Sequence, residues 1–258
     1  LLIISVFVLA IGLAVGSFLN VVIYRLPKEE SLWYPSSHCP KCDVFIKWYD
    51  NIPLISFLFL KGKCRNCQSS ISWRYPLVEA LTGIFLLICF LFYFPIGFSS
   101  LLFFLKDILF IFILIPIFFI DLKEEIIPNS LSYSLIICGF ILSFAAKNTL
   151  SSLIGIGLGA GIFLSIFALS FLWLKQTGMG MGDIKLAAGI GAFLGYKLAL
   201  LCFSLSVILG GIIATGLLLT HTKGRKDRIP FAPFLVASAL ISLFWGENLI
   251  HLYLNLIW

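Results

Sequence analysis

Apolar runs of about 20 residues recur along the chain, the length of helix that crosses a hydrocarbon core of about 30 Å. Eight are delimited, at 1–24, 76–94, 101–120, 128–146, 152–174, 183–199, 201–220 and 230–256. Hydrophobic residues make up 60% of the 258 and charged residues only 12%. A soluble chain of this size still leaves roughly a quarter of its unfolded surface in water, so lipid is the solvent that suits this composition. The expected fold is an all-α polytopic membrane protein with about eight transmembrane helices. The first run lacks a basic n-region and a small-x-small cleavage site, so it reads as a membrane helix rather than a cleaved signal peptide. Tyr196 and Lys197 place the break between the sixth and seventh runs, and Pro116 is expected to disturb the third.

The net charge of +6 would suggest nucleic acid if it formed a patch, but it alternates between loops. Arg25, Lys28, Lys41, Lys47, Lys61, Lys63, Arg65 and Arg74 follow the first run. Lys123 follows the third, Lys175 and Lys185 the fifth, and Lys223, Arg225, Lys226 and Arg228 the seventh. The intervening loops hold only Lys106, Lys147 and Lys197. Basic residues in short loops stay cytoplasmic, which puts both termini outside. No basic loop interleaves stacking aromatics as single-strand binding requires, so the partner is the bilayer and not nucleic acid.

One substantial polar segment, 25–75, separates the first run from a membrane domain at 76–258. It holds Cys39-Pro-Lys-Cys42 and Cys64-Arg-Asn-Cys67, two C-x2-C pairs with 21 residues between them. Four thiolates in two such turns can meet at one tetrahedral Zn²⁺, and a cytoplasmic loop keeps them reduced. Two disulfides are the competing reading and require the opposite topology. An all-cysteine set implies a closed structural site; His38 beside it reads as a polar loop residue. Cys89, Cys138 and Cys202 lie in apolar runs and read as packing residues.

Charges at the edge of a span are costly and mark candidate sites. Asp121 closes the third run and Asp183 opens the sixth, both on the face that the charge count makes cytoplasmic. Two carboxylates sharing one proton are what an aspartyl protease needs. Gly180 and Gly182 are expected to permit positive φ and close approach of an extended peptide. Asp183 reads equally as a helix N-cap and Asp121 as an interfacial charge, with Glu124 and Glu125 as rival acids, and the residues alone leave this open. Glu79 and Asp107 are further charges in spans. Zincin and nucleophile-elbow motifs are absent, and "GIGLGAG" at 155–161 lies in an apolar span where small residues serve helix packing. An ion-coupled transporter or channel with a zinc docking module is the alternative class, although such sites cluster near the midplane.

The motifs together resemble the bacterial type IV prepilin leader peptidases, a membrane aspartyl protease family whose longer members also N-methylate their product. They are "GSFLNVVIYRLP" at 16–27, "HCPKC" at 38–42, "WYDNIPLIS" at 48–56, "CRNC" at 64–67 and "ISWRYPLVEA" at 71–80. Further matches are "IDLKEEIIPN" at 120–129, "GMGMGDIKLAAGIGAFLG" at 178–195 and "IPFAPFL" at 229–235, where Ala232 replaces a frequent Gly. The resemblance implies catalytic roles for Asp121 and Asp183 and cleavage of short basic leaders from prepilin or pseudopilin precursors. It places that cleavage at the cytoplasmic face of the bacterial inner membrane. It also implies methylation of the new N-terminal amine with S-adenosylmethionine as donor. Asn20, Arg25, Arg74 and Glu79 lie in the matching motifs; they read as donor-site candidates or as helix-end anchors, and the donor site stays unassigned.

Overall fold

The computed structural model describes residues 1–97, 100–174, 179–220 and 229–257. Its helices are α1 (Leu2–Arg25), α2 (Ile55–Phe59), α3 (Arg74–Tyr93), α4 (Leu101–Glu124), α5 (Asn129–Ala145), α6 (Thr149–Leu174), α7 (Met181–Leu219) and α8 (Ala232–Ile257). Among the described residues there is no strand, only two isolated β-bridges. The chain forms two compact units, Leu1–Pro116 and Ile117–Trp258. The expected disturbance at Pro116 does not end the helix, because α4 runs through it. Proline removes one ladder hydrogen bond, here to the carbonyl four residues back, a loss that membrane helices tolerate.

In the first unit α1 and α3 pack antiparallel at backbone contact. A Cβ on Gly12 would stand 2.7 Å from the Gly83 Cα, and one on Gly16 the same distance from the Glu79 Cα. One turn further on, Asn20 Nδ2 donates to the Tyr75 carbonyl at 3.0 Å. Small residues at four-residue spacing allow this approach where water provides no hydrophobic drive between helices. Half-buried Asp107 accepts a hydrogen bond from the Tyr93 hydroxyl at 2.6 Å.

In the second unit α7 is 39 residues long, about 58 Å if straight and too long for one crossing. It is not straight. Gly195 has φ 73 and ψ 173, a conformation open to glycine and not helical. Before it, Gly191 packs on Gly155 and Gly159 on Ala187, so this arm runs antiparallel to α6. After it, Phe203 returns to stack on Phe163 at 5.2 Å, and Cys202 Sγ donates to the Leu235 carbonyl of α8. The chain therefore folds back at Gly195, one residue before the expected break at Tyr196. The fold-back deprives the Ala192 carbonyl of its helical donor at position 196, and the buried hydroxyls of Ser143 (3.0 Å) and Ser152 (2.9 Å) donate to it instead.

The expected count of eight crossings is not confirmed. Among the described residues, six helices are long and apolar enough to span a bilayer. The difference lies in α5, with 17 residues, and in the arm of α7 before Gly195. At 1.5 Å per residue these reach only about 26 Å and 21 Å. Sequence reading delimits spans by their polar edges, and an unbroken apolar run does not show where a helix turns. The basic residues Lys175, Lys223, Arg225, Lys226 and Arg228 lie outside the described residues.

A Cβ at position 195 would strike the Ser151 hydroxyl as well as force a non-glycine residue into positive φ. Backbone strain of that kind costs roughly 1–3 kcal/mol. Gly195→Ala is expected to lower the thermal unfolding midpoint in detergent by several degrees, measured by tryptophan fluorescence. An unchanged midpoint would mean that the fold-back is not held at Gly195.

Candidate active site and metal centre

Helix α4 ends one turn beyond Asp121, where Glu125 enters the left-handed region at φ 53 and returns its N–H to the Asp121 carbonyl. Pro128 then precedes α5. This stop leaves the Asp121 side chain 4% exposed, with Oδ2 accepting the Ala232 N–H at 3.1 Å. Ala232 is the first residue of α8, so Asp121 satisfies a free donor at the start of a helix 111 residues away. Small size suits position 232, which is fully buried.

Asp183 stands in the first turn of α7, also buried, and its Oδ2 accepts the Gly180 N–H at 3.2 Å. The Asp183 N–H returns to the Gly180 carbonyl at 3.2 Å, closing a reciprocal cap. The expectation of positive φ at Gly180 and Gly182 is not met: Gly180 is extended at φ −82, and Gly182 lies within the helix. Gly182 matters for space. A Cβ there would stand 2.9 Å from the Ile127 Cβ, so the start of α7 can sit against the α4–α5 connection only with glycine.

At one end of the second unit the two aspartates lie close enough for the Asp121 charge to act on Asp183. Each carboxylate spends one oxygen, Oδ2, on a backbone donor at a helix start. Neither neighbouring lysine pairs with them. Lys185 Nζ donates to Asn129 Oδ1 at 2.7 Å and lies over the Tyr133 ring, and Lys123 pairs with Glu124 at 2.6 Å. That contact diverts Glu124, while Glu125 contributes only its charge near Asp121. One proton shared between buried carboxylates allows one to act as base and the other as acid.

In the first unit the four cysteine sulfurs, from Cys39, Cys42, Cys64 and Cys67, all lie within 4.8 Å of one another, with Cys39 and Cys67 3.9 Å apart. A tetrahedral ion about 2.3 Å from each sulfur sets them roughly 3.8 Å apart, so the donor set fits a metal. The two loops repeat one design. His38 bridges Phe45 and Lys63 bridges Ser70, and Asp43 and Gln68, each just after a second cysteine, take φ 55 and 58. The Ser69 hydroxyl, helped by its N–H, holds the Cys67 thiol down to about 6, while burial and the Cys67 and Cys39 thiols push Cys42 up to about 11. His38 is not part of the donor cluster, and its Nδ1 meets the Ser36 carbonyl at 3.2 Å. Sequence reasoning missed the bidentate clamp of Arg65 on Asp50, whose hydrogen bonds hold the Asp50 carboxyl below its ordinary value.

The four donor-site candidates all have structural partners. Asn20 ties α1 to α3, Arg25 donates to the carbonyls of Ser31 and Pro35, and Glu79 Oε2 accepts the Leu54 N–H at 2.9 Å. The Arg74 guanidinium lies 5.0 Å from the Tyr75 ring. Asn20 Oδ1 and Arg74 Nε are buried without a hydrogen-bond partner among the described residues.

Residues 10–93 match the bacterial peptidase A24 N-terminal domain and residues 108–215 the type IV leader peptidase family. The chain is 37% identical to the prepilin leader peptidase/N-methyltransferase of Legionella pneumophila, over 95% of its own length and 92% of the relative's. Identity to the protein of the same name from Aeromonas salmonicida strain A449 is 33%, over 95% and 92%. For the Neisseria gonorrhoeae protein, again of that name, it is 37%, over 90% and 87%. No solved structure matches.

Metal content tests the cysteine site directly. Elemental analysis should find about one ion per wild-type chain, falling to background in Cys39→Ser or Cys64→Ser, with faster proteolysis between residues 38 and 70. Retention of about one ion by either variant would rule out the four-thiolate site.

Proposed function

We propose that Asp121 and Asp183 form the catalytic pair of this chain, which belongs to the type IV leader peptidase family. The protein is a membrane aspartyl endopeptidase that removes the leader from type IV prepilins or pseudopilins and then N-methylates the new N-terminal residue. The observation that carries the residue assignment is the pairing at one end of the second unit. Two buried carboxylates interact there, and each is oriented through one oxygen by the N–H of a different helix start.

One carboxylate is ionised and takes a proton from water, whose oxygen attacks the scissile carbonyl carbon. The other, protonated, donates to the carbonyl oxygen. On collapse the C–N bond breaks, its electron pair leaves with nitrogen, the proton gained by the base passes to the leaving amine, and one hydroxyl of the diol returns its proton to the other carboxylate. The four cysteines hold a structural Zn²⁺ that fixes the 38–70 loops and takes no part in this step. S-adenosylmethionine supplies the methyl group of the second activity.

The charge pattern supports a cytoplasmic placement for the aspartate end in the bacterial inner membrane. Lys123 and Lys185 lie near that end of the second unit, whereas Lys147 and Lys197 follow α5 and Gly195 at the other end. Both termini then face outward. The reading assigns hydrolysis to 76–258, with 1–24 as the first membrane helix and 25–75 as the metal module. A transport function has no support, because the two acids sit at helix ends rather than at mid-span.

Asn in place of Asp keeps an acceptor oxygen for the helix-start donor, so it tests chemistry without removing the cap. Asp121→Asn and Asp183→Asn should each slow cleavage at least about 100-fold, at unchanged metal content and unfolding midpoint. Mass spectrometry of a prepilin incubated with the purified enzyme reads leader loss, and one added methyl only when S-adenosylmethionine is present. Cleavage at the wild-type rate by either variant would remove the two-aspartate mechanism.

A further inference from the structure

We propose that the metal module is seated in the headgroup layer of the bilayer by two apolar anchors. One is Trp33, beside α1; the other is the exposed face of α2 together with Trp73, beside α3. The polarity of 25–75 suggests a segment lying wholly in water, and its surface points the other way. Trp33 and Phe59 are 86% and 83% exposed, and Leu58 and Trp73 are nearly as open. Large apolar side chains left open together mark a binding surface.

The membrane helices of the same unit show what covers it. On α1 the exposed side chains Ile4, Phe7, Ile11 and Phe18 follow one another at steps of three, four and seven residues, which puts them in one stripe. On α3 a second stripe runs from Trp73 through Leu77, Ile84, Ile88 and Leu91, at steps of four, seven, four and three. Both helices are long and apolar enough to cross a membrane, so lipid is the solvent of these stripes. Each anchor continues one of them. The Trp33 ring lies 6.2 Å from that of Phe18, and the Phe57 ring of α2 lies 4.9 Å from that of Trp73.

Depth follows from how the helices pair. Gly16 packs on Glu79, and Asn20 donates to the Tyr75 carbonyl. Phe18 therefore stands level with the first turn of α3, about 5 Å inside its start. The Leu54 N–H, just before α2, reaches Oε2 of Glu79 at 2.9 Å, a residue about 8 Å along α3. Both anchors thus lie where the spans begin, not above them.

The faces of α2 agree with this placement. Ser56 is buried and donates to the Tyr49 carbonyl at 3.0 Å, which ties its side of the helix to the module. Ile55, Leu58 and Phe59 are exposed on another side, within an arc of about 100°. Residues 51–63 include no acid, and Lys61 and Lys63 follow α2, exposed and without an ion pair among the described residues. An apolar face flanked by lysines complements an anionic headgroup layer, and the alkyl stems of the lysines can lie along apolar surface with the charge in water. A soluble protein partner would have to enter the layer that the spans already occupy. The bilayer is the occupant that fits.

Lipid contact is read in the full chain, held in nanodiscs of mixed phosphatidylcholine and phosphatidylglycerol. Phe59 or, separately, Leu77 is replaced by p-benzoylphenylalanine, and the photoadduct on each peptide is identified by mass spectrometry. Position 59 should give lipid adducts within about threefold of the yield at position 77. Hydroxyl-radical oxidation of the unmodified protein keeps the test open should the labelled chain misfold. By exposure alone Phe59 would react faster than Phe45, which is 64% exposed. Seated in lipid, it should react at least about threefold more slowly. Adducts from position 59 to protein alone, or none where position 77 labels lipid, would overturn the anchor. So would oxidation of Phe59 at or above the rate of Phe45.

Discussion

A backbone N–H or C=O without a partner costs several kcal/mol in hydrocarbon, and each break in this chain's helices creates such groups. The buried polar side chains are placed where those breaks occur. Ser143 and Ser152 donate to the Ala192 carbonyl freed by the turn at Gly195. Glu79 accepts the N–H of Leu54, itself at φ 60 before the short helix α2. Asp121 accepts the first N–H of α8, and Asp183 the N–H that precedes α7. In a water-soluble protein several of these tasks could fall to solvent. Here each irregularity that shapes the fold requires a named side chain.

That requirement makes capping compatible with the proposed catalytic role of the two aspartates. Asp183 is a cap, and so in effect is Asp121, acting on a helix 111 residues away. Capping uses one oxygen of each carboxylate and fixes its orientation. The remaining oxygen of each is directed by the start of a rigid helix rather than by a loop, the arrangement a site needing tight geometry favours. The glycines of the motif serve the same end by a different route from the one their residue type suggests. Gly182 allows the N-terminus of α7 to rest on Ile127, and no positive φ is involved.

What the sequence discloses follows the range of the interactions. The cysteine pairs were legible because their geometry is local: each loop closes within eight residues, from His38 to Phe45 and from Lys63 to Ser70. Both aspartates were visible as charges because a charge beside an apolar run stands out. The Ala232 donor was not, since a backbone N–H leaves no signature and its acceptor is remote in sequence. Nor was the course of α7. Its residues are apolar on all sides, so periodicity carries no face, and the fold-back depends on one glycine among several. Arg65 and Asp50 were visible as charges, but their pairing spans a loop whose path local chemistry does not set.

The metal module has few means of holding itself together. Between Arg25 and Arg74 the main buried side chains are Cys39 and Ser56, and a segment of that size without a core depends on staples. The staples present are the four sulfurs, the Arg65–Asp50 clamp and short backbone bridges. One bridge, the Ile46 N–H on the Ser37 carbonyl at 2.8 Å, joins the first cysteine loop to the segment that also receives Arg25 through Pro35. The order of residues 31–37 therefore depends on the cysteine loop on one side and on α1 on the other. An ion held by the four sulfurs would fix the loop, and through it the 31–37 segment. The aspartates are held by other means, through the helix starts of α7 and α8. Metal loss should thus loosen residues 31–37 through a direct mechanical link that the capping bonds of Asp121 and Asp183 do not share.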